Sequence, residues 1–335
     1  MNKILVIGTG SVARRHINNI FSIKPNISVD LFSVKFLRAK NFCKKITNHK
    51  IMPIKFNDLI NNSYSHVIIA SKTIYHNKYL KIFLEKKCKV YCEKPLPFDK
   101  IFNFLEKKSK NIKNNLKVTI GFQFRFNPAI EFIKNEIKKN KDIYLIKFFV
   151  GQNLKQWRPS GDYRNLFSAG NKYYASVFWE LCHEIDILNY IFKKPKFVYS
   201  SFTNTQKLNL QINDVSVSHF KFNNSKANCI LSSEMLSPIL YRRLILISLD
   251  YYYEVDLVKN IIIKINKNNK IKEYFFNKNN KNQRNDMFLN LMKKFLETKK
   301  NSSQYTPASL KDGLIVTKII KKMIKSNQLG RVVKI

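Results

Sequence analysis

Four stretches of the 335-residue sequence hold side chains able to do chemistry. Gly8-Thr9-Gly10-Ser11-Val12-Ala13 is a G-x-G-x-x-A turn between an apolar run, Lys3 to Ile7, and an apolar-periodic helix through Ile17, Ile20 and Phe21. Strand, glycine turn and helix in that order make a phosphate cradle for a dinucleotide. Gly8 permits the tight turn, Gly10 lets a pyrophosphate approach the backbone, and Ala13 lets the helix pack on the strand. Ser11 and Val12 open the helix whose N-terminus faces the phosphates. Glu93-Lys94-Pro95 follows a strand over Lys89 to Cys92. A lysine at the carboxyl end of such a strand is placed to act on a substrate hydroxyl.

The third stretch is a helix expected over Ser176 to Phe192, with a core stripe of Phe178, Leu181, Cys182, Ile185 and Leu188. Its polar stripe holds Glu180, His183 and Glu184, with Asp186 and Asn189 beside it. Spacings of three and four set the Glu180 and Glu184 carboxylates next to the His183 imidazole. A carboxylate neighbour raises a histidine pKa and orients the ring, as a general acid or base near neutrality requires. A solvent-facing helix with ordinary ion pairs has the same spacing. Glu180 and His183 also suggest a metal pair, but no third ligand of suitable spacing follows, so no metal is expected.

The fourth stretch is Gln156-Trp157-Arg158-Pro159-Ser160-Gly161-Asp162-Tyr163-Arg164. Proline and glycine exclude a regular element. Trp157, Tyr163, Arg158 and Arg164 suit stacking and anion contacts to a sugar-like substrate, and a packed loop with structural ion pairs is the other reading.

The elements that position these groups follow from periodicity. A second strand, Ile27 to Ser33, ends about twenty residues after the glycine turn, where an NAD site places an acidic residue for the ribose 2′-hydroxyl. Ser33 stands there instead, with Lys35 and Arg38 close behind and Asp30 inside the strand, which favours NADP(H) over NAD(H). His66 to Ala70 reads as a buried parallel strand, and Thr73-Ile74-Tyr75-His76 opens a helix through Leu80 and Phe83. A helix near Phe102 to Lys113 and a strand over Lys117 to Phe122 lead into Gln123-Phe124-Arg125-Phe126-Asn127-Pro128.

Taken in order, these segments resemble the Gfo/Idh/MocA oxidoreductases, named for glucose-fructose oxidoreductase, inositol dehydrogenase and a rhizopine-catabolism protein. The resemblance covers nearly the full length. It rests on Gly8-Thr9-Gly10-Ser11 with Arg15-His16, Thr73 with His76, Glu93-Lys94-Pro95, Gly121 with Arg125 and Pro128, and His183-Glu184-Ile185-Asp186. It implies an α/β chain with an N-terminal Rossmann domain, taken as residues 1–122. A C-terminal α+β domain with a large, open, mostly antiparallel sheet is taken as residues 123–335. It also implies hydride transfer at a sugar or cyclitol carbon, with Lys94 and His183 catalytic and Glu180 beside them. Cofactor contacts are expected from Gly8, Gly10, Ser11, Val12, Ser33, Arg38, Ser71, Thr73, His76, Glu93 and Lys94. Substrate contacts are expected from Arg125, Trp157, Arg158, Tyr163, Arg164 and Asp186. Lys94 and His183 are expected to meet across the cleft between the domains. His16 and His76 are expected to serve the cofactor domain.

The segment from Trp157 to Arg164 further resembles a branch associated with surface-polysaccharide and nonulosonate genes. One departure stands out. Where relatives carry three consecutive glycines, this chain reads Tyr173-Tyr174-Ala175-Ser176-Val177-Phe178-Trp179, with Glu180 in place of an aspartate. Side chains there either reshape the pocket around a different sugar or mark a non-catalytic member that binds a dinucleotide or regulates a partner.

The second half independently reads as a sheet, with closely spaced alternating runs between Ile143 and Phe276 and two helices near Asn285 to Thr298 and Ser309 to Ser326. A last strand is expected at Arg331 to Ile335. One face of so large a sheet must be covered, and the resemblance implies that a second subunit of a dimer or tetramer covers part of it. Sixty-one Lys and Arg against 22 Asp and Glu give a formal charge of +39. The lysines alternate with Asn and Ile throughout and form no basic tail, so a solvated lysine surface explains them and nucleic acid is not expected as a partner. Five scattered cysteines without a CxxC pair, no apolar run long enough to span a bilayer and no signal-peptide layout point to a cytoplasmic protein with reduced thiols.

Overall fold

The computed structural model describes residues 3–46, 50–112, 117–139, 142–157, 162–165, 174–222, 227–276, 283–297 and 305–335. The chain forms two units: one of residues 1–126 and 282–314, the other of residues 127–281 and 315–335. Residues 282–314, which the sequence reading places with the second domain, therefore return to the first.

The first unit alternates strand and helix: β1 (Lys3–Ile7), α1 (Ser11–Ile23), β2 (Ser28–Phe32), α2 (Phe36–Cys43), β3 (Ile51–Ile54), α3 (Phe56–Asn61), β4 (His66–Ile69), α4 (His76–Leu84), β5 (Lys89–Cys92), α5 (Phe102–Asn111) and β6 (Val118–Ile120). The strand order is β3-β2-β1-β4-β5-β6, all parallel. Such a sheet buries both faces, which is why β1 and β4 read as unbroken apolar runs. The order reverses between β1 and β4, and there the carboxyl ends of the strands open a crevice.

The second unit opens with α6 (Pro128–Lys139) and β7 (Ile143–Gly151), followed by two short helices, α7 (Val177–Glu180) and α8 (His183–Phe192). Strands β8 (Pro195–Thr203), β9 (Val215–Phe222), β10 (Asn228–Glu234), β11 (Tyr241–Ser248), β12 (Tyr251–Asp256), β13 (Ile261–Asn266) and β14 (Ile271–Phe275) then follow. The chain returns to the first unit through α9 (Gln283–Leu296) and β15 (Ala308–Ser309), which pairs antiparallel with β6. Helix α10 (Leu310–Leu329) and β16 (Val333–Lys334) finish it. The second sheet has nine strands in the order β14-β13-β12-β11-β7-β10-β9-β8-β16, antiparallel except where β10 runs alongside β7. Helices cover one face: Phe132 of α6 meets Tyr274, Phe192 of α8 meets Phe222, and Ser326 of α10 accepts the Ser200 N–H.

The expected single helix over Ser176 to Phe192 is broken. Leu181 leaves helical geometry at ψ 40°, so α7 ends at Glu180 and His183 begins α8. No glycine or proline marks that break. Among the described residues, no helix is long and apolar enough to cross a membrane.

The two glycines of the turn differ in what they require. Gly8 sits at φ +124°, and a Cβ there would lie 2.3 Å from the Ala70 carbonyl oxygen just beyond β4. Gly10 has nothing within 4 Å of its would-be Cβ. Strain and overpacking against backbone each cost about 1–3 kcal/mol. Gly8→Ala is therefore expected to lower unfolding free energy by more than about 2 kcal/mol, and Gly10→Ala by less than about 1 kcal/mol. Equal losses for the two variants in urea denaturation would refute this account of the turn.

Candidate active site

In the first unit the glycine turn is built from both sides. Gly8 donates its N–H to the Phe32 carbonyl after β2, and Ala70 donates to the Ile7 carbonyl, at 2.9 Å each. Gly10 caps α1 with no side-chain hydrogen bond, and no acidic residue stands in the first turn. A bare, positively polarised helix end beside open space at Gly10 fits a pyrophosphate. Ser11 is exposed and Val12 half-buried in that first turn. When bound, the dinucleotide would bring the redox chemistry, and these residues would hold it.

At the end of β2, Ser33 is half-buried, and Lys35 and Arg38 are exposed. Asp30 points elsewhere: its buried carboxylate lies 2.8 Å from Lys3 Nζ and accepts from Tyr64 Oη at 3.1 Å. After β4 come half-buried Ser71 and buried Thr73.

His76, expected against the cofactor, has both ring nitrogens at backbone carbonyls. Its Nδ1 lies 2.9 Å from the Pro95 carbonyl and its Nε2 3.0 Å from the Ser71 carbonyl. Burial drives the His76 pKa down, so a neutral ring donates to one of these carbonyls at a time. Asn77, which the sequence reading did not single out, donates to the Pro97 carbonyl at 2.7 Å and to Asp99 at 2.9 Å. The start of α4 thus holds the loop that follows Lys94.

Glu93, expected as a cofactor contact, is held by its own neighbours. Its buried carboxylate accepts from His16 Nε2 at 2.7 Å, from Tyr91 Oη at 2.9 Å and from the Lys94 backbone N–H at 3.3 Å. Lys94 itself is half-buried at the carboxyl end of β5. Arg125, expected to contact substrate, is 2% exposed and faces Asp312 at 3.4 Å. Burial raises the Asp312 pKa, but Arg125 and Ser309 outweigh it and hold the carboxyl below its ordinary value.

In the second unit His183 is buried at the first position of α8. Glu180 is half-buried at the end of α7, and Asp186 is buried in the first turn of α8. Glu184, expected beside His183, is fully buried and pairs with Arg242 of β11, Oε1 to Nε 2.6 Å. Nothing in the spacing of residues 180–189 could have shown this long-range partner. Trp179 is buried with its ring edge-on to Tyr174 at 5.2 Å.

Of the loop after β7, Trp157 is half-buried, Tyr163 donates to the Leu208 carbonyl at 2.8 Å, and exposed Arg164 is paired with Asp162 at 2.9 Å. Arg158 and Tyr173 lie outside the described residues. Among those described, no three His, Cys, Asp or Glu side chains gather as metal ligands would.

Residues 2–116 match the family model described as "Oxidoreductase family, NAD-binding Rossmann fold", GFO_IDH_MocA. Glucose-6-phosphate 3-dehydrogenase of Bacillus subtilis is 28% identical over 200 residues, 58% of this chain and 54% of that protein. The chain thus spans about half the length of the curated relatives it matches. Among solved structures, scyllo-inositol dehydrogenase from Lactobacillus casei with bound NAD(H) and scyllo-inositol superposes with a TM-score of 0.77 at 18% identity, covering 100% of this chain and 99% of that one. Myo-inositol 2-dehydrogenase from Lactobacillus plantarum gives 0.76 at 16% identity, with coverage of 100% and 99%. At such identities the likeness is one of fold. The glycine cradle, the lysine at the end of β5 and these matches agree: residues 2–116 are similar to the NAD-binding Rossmann domain of the Gfo/Idh/MocA oxidoreductases, and the whole chain has the fold seen in the inositol dehydrogenases.

Proposed function

We propose that this chain is a cytoplasmic nicotinamide-dependent dehydrogenase or reductase acting on a CH–OH group of a carbohydrate: a sugar, a nucleotide sugar or a sialic-like acid. The observation that carries the reading is the pairing, in one unit, of an uncapped helix end over the glycine turn with Lys94 at a strand end. The names of the sugar and inositol dehydrogenases it resembles support the substrate class. A role in surface-glycan synthesis rests on the resemblance of the Trp157 to Arg164 segment.

A bound nicotinamide supplies the hydride acceptor in one direction and the donor in the other. Lys94 takes the hydroxyl proton during oxidation and returns it during reduction, with His183 as the second acid–base group and Glu180 as its carboxylate neighbour. Loss of one such group costs roughly a hundredfold or more in rate. Lys94→Ala should therefore reduce kcat at least about a hundredfold in a carbohydrate screen with both cofactors, while cofactor affinity measured by fluorescence stays within a few-fold. Normal turnover by this variant would remove Lys94 from the mechanism.

The cofactor is proposed to be NADP(H) rather than NAD(H). Asp30 is tied to Lys3 and Tyr64, and no carboxylate stands at Ser33 to repel a 2′-phosphate. Exposed Lys35 and Arg38 add positive charge nearby. In fluorescence titrations NADPH should bind more tightly than NADH, and Ser33→Asp should reverse the order. Tighter NADH binding to the unmodified protein contradicts the proposal.

A homo-oligomer built on the nine-stranded sheet completes it. The face away from the helices carries Leu145, Phe149, Ile230, Ile245, Ile247 and Ile263, none fully buried. One row across five strands reads Ile230, Lys147, Ile245, Glu254, Ile263, with both charge signs among apolar side chains. A face of this kind, apolar side chains with charges of both signs among them, suits a self-complementary contact. Light scattering should report a dimer or tetramer, and Ile245→Glu should shift it to monomer. A native monomer at micromolar concentration would end the idea.

A further inference from the structure

We propose that His16, Tyr91 and Glu93 form a buried triad that positions Lys94, linking the helix behind the glycine turn to the strand end that carries the lysine. The inference rests on the dehydrogenase reading above for what Lys94 does, but not for how it is held.

The geometry is specific. Glu93 Oε1 accepts two hydrogen bonds, from His16 Nε2 and Tyr91 Oη, while Oε2 faces the Lys94 N–H. His16 is 1% exposed, Tyr91 fully buried and Glu93 9% exposed. The His16 ring is fixed on its other sides by the Tyr91 edge at 4.8 Å and by Phe288 of α9 at 6.0 Å. Donation from Nε2 sets the orientation of the imidazole, and its Nδ1 has no hydrogen-bond partner among the described residues. The neighbouring strand end is kept bare against the cluster. A Cβ on Gly121 would sit 2.6 Å from Tyr91 Oη and 3.0 Å from Glu93 Oε2. Gly121 in turn donates to the Cys92 carbonyl at 2.8 Å, fixing the residue before Glu93.

A carboxylate is an expensive group with which to end a buried strand, and an apolar residue would pack there without the desolvation cost. Its presence is explained if its charge acts on a neighbour. Burial raises the Glu93 pKa, but hydrogen bonds from His16 and Tyr91 and the charge of Lys94 outweigh it, so the carboxyl is held below its ordinary value. It is then anionic at neutral pH, one residue from the proposed acid–base lysine, and the interaction acts on both partners. Glu93, His16 and Tyr91 are positioning residues in this scheme, and none needs to touch substrate.

The test uses the full chain with Glu93→Gln, which removes charge but keeps shape, and Tyr91→Phe, which removes one hydroxyl. Acetic anhydride acetylates only the unprotonated amine, so mass spectrometry of the Lys94 peptide across pH reads that group without any turnover. Exposed Lys221 serves as an internal standard. In Glu93→Gln the Lys94 midpoint should fall by at least about half a pH unit with Lys221 unmoved, and Tyr91→Phe should shift it the same way by less. NADPH affinity should stay within about threefold, while kcat falls at least about tenfold with little change in KM. Folded variants whose Lys94 profile superposes on that of the unmodified protein would overturn the triad. A shifted profile in a protein that oxidises no carbohydrate would keep the triad and discard the dehydrogenase reading.

Discussion

Every candidate group of the first unit depends on one close approach, that of Gly8 to the Ala70 carbonyl. β1 and β4 are neighbours in the sheet although two strands separate them in sequence, and the crossover direction changes between them. Their carboxyl ends must therefore diverge into loops that leave on opposite sides. The backbone manages this with hydrogen bonds from Gly8 to Phe32 and from Ala70 to Ile7. A side chain at Gly8 has no room. The consequence spreads along the sheet edge: Ser33 follows β2, Ser71 follows β4 and Lys94 follows β5, so residues far apart in the chain stand along one rim.

The buried carboxylates of the first unit are each held by more than one neighbour. Asp30 has Lys3 and Tyr64, and Asp312 has Arg125 and Ser309. Glu93 has His16 and Tyr91. Each cluster ties an element of the alternating strand and helix pattern to one that arrives much earlier or later in the sequence. In a low-dielectric interior such pairs are strong when complete and costly when broken. They give the first unit rigidity that loops alone would lack.

These clusters also explain what could be read from the sequence. The Rossmann half was legible because apolar runs, a glycine turn and periodic helices are local signals, and β1, α1, β4 and β5 lie where those signals put them. Strands β7 to β14 were legible for the same reason, as alternating runs between Ile143 and Phe276. The break at Leu181 was not, since no residue there disfavours helix and the tertiary setting decides. Partners were not legible either. Glu93 was read as a cofactor contact and Glu184 as a neighbour of His183, and each faces a partner on another element, His16 of α1 in one case and Arg242 of β11 in the other. Spacing rules see three or four residues along a helix, and no further.

The return of residues 282–314 to the first unit has a consequence for biogenesis. Synthesis delivers β1 to β6 first, yet α9, whose Phe288 and Phe295 pack on His16, His66 and Tyr91, arrives only after all of β7 to β14. The nascent Rossmann sheet must wait with an apolar surface uncovered while roughly 155 residues are translated, about eight to thirty seconds at usual elongation rates, and its β6 edge stays unpaired longer still, until Ala308 and Ser309 emerge. Through that interval the emerging chain carries an open sheet edge on the ribosome, the kind of surface that molecular chaperones bind.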